Sequence, residues 1–104
     1  MRLGLAATAL GALLLAGCSG SLQSATGVVV QVNGTSPSAI SSFVLHTADG
    51  QLLTFTVGPI TFDQTSFPPE HLREHQALAQ PVKVTYKIEN GQDVAVKLED
   101  APKT

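Results

Sequence analysis

Alternation of apolar and polar positions dominates the chain after residue 25 and predicts β-strands. Five segments are β-branched runs or alternate with a period of two: residues 26–32, 40–47, 51–57, 82–89 and 93–99. Turn sequences follow the first, second and fourth of them: Asn33-Gly34, Ala48-Asp49-Gly50 and Asn90-Gly91. The one helical pattern lies within residues 67–81, where Pro68-Pro69 suits a first turn and Pro81 stops the helix. The predicted order is therefore strand, strand, strand, helix, strand, strand.

The parity of the alternation predicts how the second and third strands pair. A three-residue loop at 48–50 sets Phe43 opposite Phe55 and leaves Gly50 in the left-handed conformation that such loops need. The same register predicts these core side chains: Phe43, Leu45, Leu53, Phe55 and Val57. His46 then points away from the core.

The same test applies to the fourth and fifth strands. A two-residue Asn90-Gly91 turn would set Lys87 opposite Val94 and mix the two faces of the hairpin. We therefore expect a three-residue loop, 89–91. The pairs it predicts are Tyr86 with Val94, Val84 with Val96 and Lys87 with Asp93.

Five strands with one helix between the third and fourth resemble the OB-fold, a mainly β Greek-key barrel. The resemblance covers residues 26–100 and depends on element order, because this fold has no diagnostic motif. An SH3-like barrel is the alternative, and it would lack the full helix. The segment from His71 to Asp100 also resembles a pattern of small bacterial envelope proteins.

The OB-fold resemblance implies a binding surface, because these barrels often bind ligands on strands two and three. Its outward residues on those strands are Thr54 and Thr56 beside His46 and Leu52. The loops 33–39 and 58–66 are further candidates. The ligand itself cannot be read from these residues.

Residues 1–17 have the layout of a secretory signal, with Arg2 followed by an apolar segment too short to stay as a membrane helix. The segment ends in Leu15-Ala16-Gly17-Cys18, which resembles the bacterial lipobox. The resemblance implies cleavage before Cys18 and attachment of acyl chains such as palmitate to its thiol. Ser19 in the next position favours the outer membrane over the cell membrane, if the host has both.

Cys18 is the only cysteine, so an exported chain offers it no disulfide partner. Each buried methylene contributes about 0.8 kcal/mol, so two or three acyl chains would hold the protein on the bilayer. We therefore expect a lipidated cysteine and flexible tether at 18–25, a barrel at 26–100 and a tail at 101–104. The expected partners are the lipid bilayer and an envelope protein or small ligand on its extracytoplasmic side.

The charge balance excludes a nucleic-acid partner. Removing the signal also removes Arg2, which leaves five basic against eight acidic residues and a net charge of −3. The chain has no Trp, one Tyr and four Phe. Nucleic-acid binding needs positive charge and stacking platforms, and both are scarce here.

One motif suggests an enzyme. His71, Glu74 and His75 spell H-x-x-E-H, the order of the inverted zinc-peptidase motif. That chemistry needs a third protein ligand from a second helix, whereas the chain after His75 is predicted as strands. We therefore expect no enzyme and assign no catalytic residue.

The two histidines have three remaining interpretations. Helical spacing places His71 and His75 on one apolar stripe with Leu72 and Leu78, where semi-buried, neutral imidazoles would bond to backbone carbonyls or to the loop 62–66. This is the main expectation, with no cofactor other than the lipid on Cys18. A pH-sensitive version has protonation loosening the helix.

The third interpretation is a periplasmic metal-binding protein. His71 and His75 at i and i+4 could share one Zn²⁺ or Cu²⁺. The architecture also resembles OB-type periplasmic copper chaperones, which bind copper through Met, His and Trp. That ligand set is missing, because the chain has no Trp and its one methionine, Met1, lies in the signal.

Overall fold

The computed structural model describes residues 21–102, and this part of the chain forms a closed five-stranded barrel. The strands are β1 (Gln23–Ser36), β2 (Ala39–Thr47), β3 (Leu52–Val57), β4 (Val82–Glu89) and β5 (Gln92–Asp100). A 3-10 turn (Pro69–His71) leads into helix α1 (Leu72–Leu78) between β3 and β4. No helix within residues 21–102 is long and apolar enough to span a membrane. The predicted signal peptide at 1–17, Cys18 and the tail residues 103–104 lie outside the described residues.

The barrel closes in the order β1-β2-β3-β5-β4, with β4 returning to pair with β1. Neighbouring strands are antiparallel, except that β3 and β5 run parallel and pair through Thr56 with Val94 and Val57 with Ala95. This is the predicted mainly β, OB-fold-like Greek-key barrel with one short helix between the third and fourth strands. The closed barrel and its seven-residue helix are consistent with the OB-fold and also with the SH3-like alternative.

The core fills the inside of the barrel and is capped by the segment around α1. Its buried side chains are Val29, Phe43, Leu45, Phe55, Phe67, Leu72, Val82, Val84, Ala95 and Leu98. The Phe43 and Phe55 rings stack with centroids 5.3 Å apart, and Phe55 meets Tyr86 edge-on at 5.0 Å. Aromatic pairs of this kind contribute beyond the apolar area that they bury.

The predicted β2–β3 register is confirmed. Phe43 faces Phe55 and Leu45 faces Leu53, and Gly50 has the expected positive φ of 89°. Leu53 and Val57 are only half-buried, at the margin of the core. The parity of the alternation was enough to predict this register because no bulge interrupts the β2–β3 pairing.

The predicted β4–β5 loop is wrong. Asn90 and Gly91 form a two-residue turn with φ values of 51° and 77°, so that Glu89 faces Gln92 and Lys87 faces Val94. Two-residue hairpins favour two consecutive left-handed residues, and Asn-Gly is the pair best suited to them.

A bulge in β5 restores the parity that this turn breaks. Tyr86 faces Ala95 and Thr85 faces Lys97, so Val96 is the extra residue of the bulge. Beyond it Val84 faces Leu98 rather than Val96, and Val84, Ala95 and Leu98 are all fully buried. The bulge is the reason that Ala95 belongs to the core.

β1 bends at Gly27, which pairs with Thr47 of β2 on one side and with Val82 of β4 on the other. A Cβ placed at Gly27 would lie 2.3 Å from the His46 carbonyl oxygen, so only glycine allows this approach of the two strands. β1 also begins earlier than predicted, since Gln23 pairs with Tyr86 within the segment expected to be tether.

The connections differ from those predicted. β1 and β2 continue to a pair between Ser36 and Ala39, so most of the expected loop 33–39 is hairpin strand. The segment after β3 lies along the β5 edge: the Thr61 N–H donates to the Val96 carbonyl (2.7 Å) and the Phe67 N–H to the Leu98 carbonyl (2.9 Å). These bonds satisfy β5 carbonyls that the short β3 does not reach.

Candidate functional site

Charged side chains are divided unequally between the two halves of the described barrel. The sequences of β1, β2 and β3 contain no Asp, Glu, Lys or Arg. β4 and β5 carry seven such residues: Lys83, Lys87, Glu89, Asp93, Lys97, Glu99 and Asp100. The outer wall over β1–β3 is therefore uncharged whenever His46 is neutral.

The strand register arranges the outward side chains of this wall in rows. Val28, His46 and Leu52 lie side by side across β1, β2 and β3, and Val44 faces Thr54 in the next row. We call the whole set the uncharged face: Val28, Val30, Gln31, Asn33, Ser42, Val44, His46, Leu52, Thr54 and Thr56. Leu52 is 65% exposed and Val30 45% exposed, so large apolar groups lie open on this surface.

A bulge in β1 adds one apolar side chain to the face. Val30 is the extra residue between the pairs Val29–Leu45 and Gln31–Val44. The Gln76 side chain of α1 donates to the Val30 carbonyl at 3.1 Å and so fixes the helix beside the bulge. The helix and the uncharged face are thus joined through one backbone carbonyl.

Polar groups on the face hydrogen bond to one another. The Gln31 amide donates to Asn33 Oδ1 at 3.0 Å, and the Asn33 amide donates to Ser42 Oγ at 3.1 Å. Ser41 Oγ donates to the Asn33 carbonyl at 3.3 Å. These bonds restrain the side chains before any partner arrives, which reduces the entropy cost of binding.

The shape of the face selects the kind of ligand it can hold. Small-molecule sites are concave and enclose most of the ligand, whereas the outside of a barrel is convex. The aromatic rings of these strands, Phe43 and Phe55, point inward and are fully buried. The face is therefore suited to contact with another macromolecular surface.

Sequence reasoning found one part of this face and missed another. His46, Leu52, Thr54 and Thr56 were predicted to point outward, and His46 and Leu52 are exposed. The β1 contribution was missed because Val28-Val29-Val30 is also typical of a buried strand. The bulge that turns Val30 outward has no sequence signature.

In the β4–β5 half of the barrel, the Lys97 side chain pairs with neighbouring carboxylates. Lys97 Nζ lies 2.8 Å from Asp63 Oδ2 and 3.7 Å from Glu99 Oε2. The Thr65 N–H and hydroxyl both donate to Asp63 Oδ1, and the Thr65 hydroxyl also contacts Glu99 Oε2 at 2.9 Å. This cluster ties the loop after β3 to β5.

The pairing within this cluster shifts the pKa values of Asp63 and Lys97. Hydrogen bonds from Lys97 and then from Thr65 hold the pKa of Asp63 well below its usual range. The Asp63 carboxylate in turn raises the pKa of Lys97, although partial desolvation acts in the opposite direction. Both groups are therefore charged at neutral pH and paired with each other.

The two histidines of the H-x-x-E-H segment, His71 and His75, differ in burial and in hydrogen-bond partners. His75 is buried, as predicted, with Nδ1 3.2 Å from the His71 carbonyl oxygen and Nε2 2.6 Å from Asp100 Oδ1. Asp100 takes the role that was expected of the loop 62–66. Leu72 is also buried, as the apolar stripe predicted.

Two residues of the predicted stripe are exposed instead. His71 belongs to the 3-10 turn, so α-helical spacing places it wrongly; its ring pairs with Glu74 at 3.0 Å and its side chain is about half exposed. Leu78 is the last helical residue before Ala79 adopts a left-handed conformation, and it lies open to solvent. The buried face of α1 is therefore one turn long.

The histidine nitrogens do not converge on one point. His71 Nε2 is directed at Glu74 and His75 Nε2 at Asp100, and the two rings meet edge-on with centroids 5.5 Å apart. Within residues 21–102 no group of three or more His, Cys, Asp or Glu side chains is placed to hold a metal ion. A metal at these rings would have to displace both carboxylates.

Comparison with known proteins gave no match to a family model, to a curated protein or to a solved structure. The geometry of the barrel and its two contrasting walls therefore carries the functional argument.

Proposed function

We propose that the protein is a bacterial lipoprotein, held on the extracytoplasmic side of a membrane by acyl chains on Cys18 and acting as a non-catalytic binding module. The lipobox-like Leu15-Ala16-Gly17-Cys18 supports the anchor. β1 begins at Gln23, five residues after Cys18. At about 3.4 Å per extended residue, the barrel would lie within about 17 Å of the bilayer surface.

The single observation that carries the binding role is the uncharged face. Contiguous exposed apolar surface is uncommon on monomeric proteins and marks interaction sites. Interface cores are also depleted in charged residues. The exposed Leu52 and Val30, with the half-buried Val28 and Val44 between them and a fixed amide–hydroxyl ladder beside them, fit that description.

The chemistry of the face defines its partner. A charged group docked on it would lose hydration without meeting an opposite charge, which costs several kcal/mol. Lipid headgroups attract Lys and Arg, and β1, β2 and β3 have neither. The partner we propose is an uncharged surface on another envelope protein.

The anchor is tested by expressing the full chain in its bacterial host and measuring the mass of the mature protein. We expect a chain that begins at Cys18, carries two or three acyl chains and partitions into detergent. The Cys18→Ser variant should stay soluble and unmodified. A wild-type protein released without lipid would contradict the proposal.

The face is tested by placing a photo-crosslinking residue at position 52, with position 83 on β4 as the matched control. We expect one protein adduct in host membranes from position 52 and none from position 83. With that partner purified, Leu52→Lys should weaken binding at least about tenfold. Lys83→Glu should leave the affinity unchanged.

Three outcomes would overturn this assignment. They are adducts only to lipid, adducts only to a second copy of the chain, and equal labelling from both positions. Circular dichroism of Leu52→Lys must match the wild type, since Leu52 is exposed and its replacement leaves the core intact.

A further inference from the structure

Within the part of the chain that the structure describes, His75 is a buried titratable side chain that the proposed binding role does not use. Its side chain is only 5% exposed, on the buried face of α1. The ring stacks on Phe67 with centroids 4.5 Å apart and planes 16° apart. Both ring nitrogens have polar partners, one on the 3-10 turn and one at the end of β5.

Both partners are hydrogen-bond acceptors. The His71 carbonyl oxygen only accepts, and an ionised Asp100 carboxylate only accepts. A neutral imidazole carries one N–H and satisfies one of these contacts, whereas an imidazolium donates to both. The Asp100 side chain is 81% exposed, so water solvates its charged form.

We infer that His75 is an imidazolium in the folded protein and that its proton fastens α1 to β5. The contact with Asp100 is short, at 2.6 Å, which favours a charge-assisted hydrogen bond over a neutral one. His75 also lies in the last turn of α1, where the helix dipole favours a positive charge. Stacking on Phe67 adds a cation–π contact.

The other groups near His75 leave this assignment in place. The 3-10 turn contributes His71, which is itself paired with Glu74, and β5 contributes Asp100. β1, which packs against α1, has no titratable side chain. Among residues 21–102, Asp100 is therefore the one charged group bonded to the His75 ring.

Protonation of His75 would therefore affect the helix in the opposite direction to that expected from the sequence. There, protonation of an apolar-stripe histidine loosens the helix; here, it completes the two hydrogen bonds that hold the helix. Because the folded state binds the proton through contacts that the unfolded chain lacks, stability is highest at mildly acidic pH and falls as pH rises through neutrality. Loss of the proton would weaken the attachment of α1, whose Leu72 is buried in the core and whose His75 stacks on Phe67.

NMR of ¹⁵N-histidine-labelled protein tests the protonation state directly. We expect both His75 ring nitrogens to show protonated shifts at a pH where the exposed His46 has become neutral. A His75 ring found as one neutral tautomer at that pH would overturn the inference. This measurement needs no substitution and so does not depend on a variant folding.

Thermal unfolding of variants tests the coupling to stability. The wild-type melting temperature should fall by about 5 °C between pH 5.5 and 8.5, a typical response of a small domain to one lost interaction. Asp100→Asn preserves side-chain size and should remove most of that difference. His71→Gln should retain it; an Asp100→Asn protein with the full wild-type difference would overturn the inference.

Discussion

The two halves of the barrel are built differently although they share one core. The β1–β3 half is held by backbone pairing, buried apolar side chains and hydrogen bonds between neutral side chains such as Asn33 and Ser42, and its outer wall carries no Asp, Glu, Lys or Arg. The β4–β5 half adds side-chain bonds: Lys97 to Asp63, Lys87 to Glu89 and Asp100 to His75. One wall thus uses its polar groups to hold its own loop and helix, while the other presents an open surface.

This difference separates two uses of a barrel wall. On the β4–β5 side, ion pairs join Asp63 and His75 of the long connection to β5, in addition to the backbone hydrogen bonds from Thr61 and Phe67. The β1–β3 side meets this connection at the Gln76 side chain, which donates to the Val30 backbone carbonyl and leaves the Val30 side chain exposed. Its exposed Val30 and Leu52 are therefore available to a partner.

The largest loss of stability that we expect is in the β1–β3 half, at Gly27. Gly27→Ala sets a Cβ against the His46 carbonyl oxygen, so β1 must move from β2. Overpacking of this kind costs about 1–3 kcal/mol of unfolding free energy, measured by urea denaturation. The neighbouring Thr26→Ala is the control, and equal losses in both variants would refute the close approach.

A smaller effect should follow at the turn of the charged half. Asn90 has a φ of 51°, which alanine tolerates poorly, so Asn90→Ala should lower the unfolding free energy by about 1 kcal/mol. Asn90→Gly accepts the same backbone and should change it little. If Asn90→Ala were as stable as Asn90→Gly, the two-residue turn would be wrong and the three-residue loop would stand.

The smallest effect should come from the exposed Asp63–Lys97 pair. The folded pKa of Asp63 lies below its unfolded value, so the pair stabilises the protein above about pH 4 and the contribution disappears as pH falls below that. Asp63→Asn should therefore lower the melting temperature slightly at pH 7 and less at pH 2.5. Lys97→Met should behave in the same way, and a pH-independent difference would argue against the pairing.

Sequence reasoning reached the fold because alternation and turn residues act locally. The β2–β3 register followed from parity, since nothing interrupts that ladder. Parity failed in β4–β5 because the bulge at Val96 is stabilised by a distant group, the Thr61 N–H. The sequence of the strand alone therefore does not predict a bulge that a distant residue stabilises.

The candidate sites show the same limit. The lack of charge in β1–β3 is visible in the sequence, but only the fold shows that Val28, His46 and Leu52 form one row. His75 was expected to bond within its neighbourhood, and it bonds to Asp100, 25 residues away. Apolar stripes predict burial, whereas they do not predict which distant group satisfies a buried ring.

The most direct test of the account is thiol labelling in native membranes. With acyl chains on Cys18, a new cysteine at position 52 becomes the one free thiol of the chain, and Arg73→Cys on the exposed helix surface provides the comparison. We expect a membrane-impermeant maleimide to label position 73 fully in permeabilised cells and position 52 at least about tenfold more slowly, with the two rates becoming equal in purified protein. Equal rates in the cells would contradict the claim that the uncharged face is covered by a partner.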